Sequence, residues 1–160
     1  MTRLTQLGAA GLLLAVCTLF GRQAAAHCQV PCGIYDDDTR VRLMAEHITT
    51  IEKSMKQIVE LSAQEKMDHN QMVRWVLNKE DHAAKLTEIV TYYFMAQRVK
   101  PVDEQDKEGH AAYVRQVTLL HRILVAAMKA KQTTDLEYVS ELRRLLDAFT
   151  RAYEGLSSAH

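Results

Sequence analysis

Glycine and proline almost vanish from this chain after its first 35 residues. Of six glycines, Gly8, Gly11, Gly21 and Gly33 precede Tyr35, and only Gly109 and Gly155 follow; of two prolines, only Pro101 follows. That scarcity leaves little room for the turns of a β-protein. Cysteine is scarce too. Cys17, Cys28 and Cys32 all lie near the N-terminus, so no disulfide can staple the body of the chain. Neither sign of charge dominates, with 20 Lys+Arg against 20 Asp+Glu, and basic runs are absent, which argues against a nucleic-acid surface. No Gly-rich phosphate loop, Ser-His-Asp order, paired-carboxylate site, internal repeat or low-complexity tract stands out.

Residues 1–26 read as a cleaved leader, a secretory signal peptide. Arg3 supplies its positive start, Leu7 to Phe20 form an uncharged apolar run, and Ala24 and Ala26 place small side chains before a cut. The run is short for a membrane span, which takes about 20 apolar residues. Stable membrane association is therefore not expected once the leader is gone. Removing 26 of 160 residues leaves 134, one ordinary domain. The leader carries Arg3 and Arg22 and no acid, so 18 basic residues face 20 acidic ones in the mature chain, a formal charge of −2.

Residues 36–160 carry helical periodicity. Val41, Met44, Ile48, Ile51, Met55 and Ile58 line one face, with Asp37 or Asp38 available to cap it. After a polar break at Gln64–Asn70, a second helix carries Val73, Val76, Ala83, Leu86, Val90 and Tyr93. Lys100-Pro101-Val102-Asp103 interrupts it. A third helix carries Val114, Val117, Leu120, Leu124 and Met128. After Gln132-Thr133, Thr134 with Glu137 suggests a capping box for a fourth helix bearing Leu136, Val139, Leu142, Leu146, Phe149 and Tyr153. The expected fold is all-α, an antiparallel four-helix bundle whose shared apolar seam holds helices that are marginal alone.

The densest chemistry lies at 27–35, His-Cys-Gln-Val-Pro-Cys-Gly-Ile-Tyr. Cleavage after Ala26 makes His27 the N-terminus. Its α-amine, the Cys28 amide nitrogen and the Cys28 and Cys32 thiolates can then converge on one ion. Pro31 and Gly33 help the chain turn back. Two nitrogens and two sulfurs form a strong-field set that favours square-planar Ni(II) or Cu(II) over zinc. The bland alternative is a Cys28–Cys32 disulfide in an exported protein.

His-Cys-x-x-Pro-Cys-Gly-x-Tyr at a processed N-terminus resembles the metal hook of the nickel superoxide dismutases, and the four-helix body agrees with that family's subunit. The resemblance implies disproportionation of superoxide to dioxygen and hydrogen peroxide by Ni(II)/Ni(III) cycling, with one nickel per subunit. It implies ligation by His27, Cys28 and Cys32, the His27 imidazole joining in the oxidised state. Tyr35 matches the tyrosine over the open face, and Tyr93 looks like the second active-site tyrosine. It also implies a homohexamer and a leader-processing peptidase. Gln29 departs from the aspartate many members carry. The family orients its axial imidazole with a glutamate and an arginine; alignment puts His82 near the arginine position and finds no clear carboxylate at the other, for which Glu46 is the candidate. A non-catalytic exported nickel- or copper-binding bundle is the competing reading, but a carrier needs no tyrosine gate. The leader points to the periplasm or the cell exterior, with a cytoplasmic location after leader removal as the alternative.

The remaining histidines (His47, His69, His82, His110, His121 and His160) show no ligand spacing and read as surface or core residues. The Asp36-Asp37-Asp38 run reads as helix capping rather than a cation site.

Overall fold

An aspartate stands at the start of each of four helices. The computed structural model describes residues 35–157, with side chains through Tyr153. Helix α1 spans Asp37–Ser62 and α2 spans His69–Glu88, continuing without a break as π-helical turns over Ile89–Arg98. Helix α3 spans Lys107–Gln132 and α4 spans Glu137–Ser157. The side chains of Asp36, Asp68 and Asp106 accept from the backbone N–H of Thr39, Gln71 and Gly109 at 2.9–3.0 Å, satisfying donors that no helical carbonyl can reach. Asp36, rather than Asp37 or Asp38, caps α1. The capping box expected from Thr134 and Glu137 does not form. Asp135 takes that role, accepting from the Glu137 N–H at 2.9 Å, because it lies closer to the first turn.

Cross-helix pairs fix the topology. His47 faces His82 and Ser54 meets Asn78, so numbering falls on α2 as it rises on α1. Gln116 reaches the Ala152 carbonyl and Arg122 reaches Glu141, which makes α3 and α4 antiparallel. Glu52 pairs with Arg143, and α2 packs on α3. The four helices thus close an up-down-up-down bundle. Among the described residues, none of the helices is long and apolar enough to cross a membrane.

The core follows the expected seam on α1, where Met44, Ile48, Ile51 and Met55 are fully buried, and on α4, where Val139, Leu142, Leu146 and Phe149 are buried. Two other stripes depart from expectation. Val73 and Val76 are exposed, 56% and 38%. The Lys79 ammonium already sits on the carbonyls that end α3, so the turns of α2 before it lie past that end and keep contacts to α1, such as Lys53 over Trp75, but not to α3. On α3 the buried face is Leu119, Leu120, Ile123, Ala126, Ala127 and Ala130, while Val114 and Met128 are exposed. Small alanines let α3 approach closely, so the seam turns toward them and away from the larger Met128.

Candidate metal centre

Asp37 opens the first turn of α1, one position past the cap, and its carboxylate gathers donors from two other segments. The Tyr93 hydroxyl donates to Oδ1 at 2.6 Å, and the Tyr153 hydroxyl donates to Oδ2 at 2.8 Å. Arg98 grips both oxygens, Nε to Oδ1 at 2.9 Å and Nη2 to Oδ2 at 2.7 Å. Such a fork on a carboxylate is stronger and more directional than a single neutral hydrogen bond. Behind it, Tyr93, Phe94, Phe149 and Tyr153 pack edge to face or stacked, with centroids 5.0–5.6 Å apart.

The π-helical turns make this convergence possible. Tyr93 and Arg98 are five residues apart. In an α-helix five steps of about 100° would leave them roughly 140° out of phase. The i→i−5 register, seen where the Val99 N–H donates to the Phe94 carbonyl at 2.8 Å, brings both onto the face toward Asp37.

These contacts set the proton affinities. Burial pushes the Asp37 carboxyl up, but the hydrogen bonds from Arg98, Tyr93 and Tyr153 outweigh it and hold the group below its ordinary value. Burial and the donation to Asp37 push Tyr93 and Tyr153 each up to about 12. The hydrogen bonds to Asp37 raise Arg98 further above its already high value. Both phenols therefore keep their protons at neutral pH and spend them on Asp37.

Tyr35 lies just outside this hub. It is 40% exposed, its ring stands edge-on to Tyr93 at 6.0 Å, and the Arg98 guanidinium lies 4.4 Å over its face. The two tyrosines singled out from sequence are thus neighbours, while Asp37, Arg98 and Tyr153 join them unannounced. His27, Cys28 and Cys32 lie outside the described residues. Among the described residues, no three His, Cys, Asp or Glu side chains come together to hold a metal.

Glu46 and His82 sit elsewhere on the bundle. Glu46 is exposed. His82 Nδ1 meets His47 Nδ1 at 3.0 Å between α1 and α2, about 15 Å along α1 from Asp37 by helical rise. Burial, then the His82 charge, holds the His47 imidazole below its ordinary value.

The family model of nickel-containing superoxide dismutases matches residues 22–156. The chain belongs to that family. No curated protein and no solved structure matches significantly. The protein is a superoxide dismutase, an oxidoreductase whose cofactor is nickel and whose substrate is superoxide. The matched span includes His27, Cys28 and Cys32, and thiolates are soft donors of the kind that nickel accepts.

Proposed function

We propose that this superoxide dismutase binds nickel at an N-terminus created by removal of residues 1–26. The His27 α-amine, the Cys28 amide nitrogen and the Cys28 and Cys32 thiolates would hold the ion, with the His27 imidazole as a further ligand in the oxidised state. The observation that carries this reading is the family match starting at residue 22, ahead of the only Cys-x-x-x-Cys spacing in the chain. Bound there, nickel would supply the one-electron Ni(II)/Ni(III) chemistry that converts superoxide to dioxygen and hydrogen peroxide.

The chain's own residues do the rest. Pro31, with its fixed φ, and Gly33, without a Cβ, would let the chain turn back toward the ion. Deprotonated sulfur and nitrogen donors would push electron density onto the ion and stabilise its higher oxidation state. Reduction of superoxide to hydrogen peroxide consumes two protons, and the Tyr35 phenol would order the water that delivers them and screen access to the ion. Tyr93, its proton committed to Asp37, supports the Tyr35 ring from the side. Gln29, where many members carry an aspartate, keeps a polar side chain near the ion without adding a negative charge.

The leader reads as an export signal cut by a processing peptidase, which places the mature enzyme in the periplasm or outside the cell, with cytoplasmic processing as the alternative. Family resemblance supports a homohexamer. Cys28→Ser and Cys32→Ser are each expected to abolish superoxide turnover by the nickel-treated mature chain. Near-wild-type turnover in either variant would overturn the ligand assignment.

A further inference from the structure

Tyr93 and Arg98 both touch Asp37 and Tyr35, and the one that lies over the Tyr35 ring face is Arg98. Its fork on the carboxylate fixes the guanidinium plane, because both Nε and Nη2 are engaged at 2.7–2.9 Å. Its central carbon, Cζ, lies 4.4 Å from the Tyr35 ring centre, within cation–π range. Asp37 is itself held by Tyr153 of α4 and Tyr93 of the π-helical turns, so the guanidinium is anchored to three segments of the bundle. Tyr35, by contrast, precedes α1 and is 40% exposed. A half-exposed aromatic ring beside a helix start has several rotamers open to it. The rigid flat cation over one face and the Tyr93 edge 6.0 Å away remove most of them.

We propose that Arg98, locked by Asp37, is a positioning residue for Tyr35: the guanidinium face sets the orientation of the phenol that serves the nickel segment. The inference rests on the reading of Tyr35 as the phenol beside the metal. It assigns a purpose to the π-helical turns, which alone bring Arg98 into phase with Tyr93. It also divides the labour between the two tyrosines. Tyr93 gives its hydroxyl to Asp37 and is structural support, while Tyr35 packs its half-exposed ring against the hub without being part of it. Arg98 acts through Tyr35 and need not touch superoxide.

The test compares Arg98→Lys, Tyr35→Phe and the double variant. Lysine keeps the charge but loses the flat face and the fork. In nickel-loaded enzyme, pulse radiolysis is expected to show kcat in Arg98→Lys reduced about tenfold to a hundredfold, as for loss of a group that orients another in a metal site. The ionic-strength dependence of kcat/KM should be retained, because the charge is retained. The double variant should be no slower than Tyr35→Phe, since both changes remove one function. In the full, uncut chain carrying 3-fluorotyrosine, the Tyr35 fluorine resonance, assigned by its loss in Tyr35→Phe, should shift and broaden in Arg98→Lys.

Unchanged kcat with an unshifted resonance would overturn the proposal. So would multiplicative losses in the double variant, which would give Arg98 a role independent of Tyr35. A loss seen with Arg98→Gln but absent in Arg98→Lys would leave only electrostatic steering and would equally overturn it. If Arg98→Lys does not fold, Asp37→Asn, which loosens the same guanidinium, should produce the fluorine shift. The fluorine measurement needs no metal, so it tests the Arg98–Tyr35 contact even if the placement of nickel beside Tyr35 fails.

Discussion

Two charged groups near opposite ends of the bundle each draw several partners together, and they differ in what those partners are. Near one end, the Asp37 carboxylate accepts from Tyr93, Arg98 and Tyr153. Toward the other, the buried Lys79 ammonium donates to the Ala130 carbonyl at 3.0 Å, the Thr133 carbonyl at 3.2 Å and the Lys131 carbonyl between them. Lys79 serves backbone groups that every α-helix leaves unpaired at its C-terminus, and a cation there also complements the helix dipole. Asp37 instead serves side chains, two of them touching Tyr35. Lys79 therefore contributes to stability alone, whereas Asp37 ties stability to the site.

The sharpest way to break that contrast is to remove each acceptor or donor in turn. Asp37→Ala is expected to cost about 3 kcal/mol in urea unfolding, since it leaves a guanidinium and two phenols without their anion. It should also lower turnover per bound nickel. Lys79→Met is expected to cost less, about 1–2 kcal/mol, because it loses three hydrogen bonds but also removes a buried charge. Turnover per nickel should stay at the wild-type level in Lys79→Met; an equal loss of turnover in both variants would erase the contrast.

pH should separate the two ends as well. Asp37 has a lowered folded pKa, so its contribution is full above the ordinary carboxylate value of 3.8 and is lost as pH falls below it. The tyrosine contribution is full below 10.0 and is lost as pH rises from there through about 12. Lys79 behaves oppositely. Burial lowers its pKa below 10.5, so its end gains stability as pH rises toward 10.5. The stability difference between wild type and Asp37→Asn should therefore shrink below pH 3.8, while that of Lys79→Met should not.

Smaller effects sharpen the picture. Asp36→Ala removes the α1 cap beside the hub, and should lower the unfolding midpoint slightly with unchanged kcat. His47, lying between the two ends, has a lowered folded pKa. It should make stability fall as pH drops below 6.5, by under about 1 kcal/mol down to pH 5. His47→Gln should flatten that slope, with Glu46, Asp81, Lys85 and His82 left as the surrounding charges.

Legibility in the sequence tracks how local each feature is. The N-terminal motif and the helix periodicities sit within a few residues of one another, and both pointed to the fold and the family. The hub was hidden because Tyr93, Arg98 and Tyr153 lie 56, 61 and 116 positions from Asp37. Asp37 read as a cap, and Arg98 fell out of phase with Tyr93 in any α-helical projection. The His47–His82 pair, 35 positions apart, was invisible for the same reason. The seam of α3 was misplaced because alanine gives a weak apolar signal yet packs most closely.

The measurement that bears most directly on the central claim is native mass spectrometry of the active enzyme purified from its own source. The account predicts a chain beginning at His27 that carries one nickel per subunit. An active, nickel-bearing protein that retains residues 1–26 would contradict it, because the α-amine assigned to the metal would not exist.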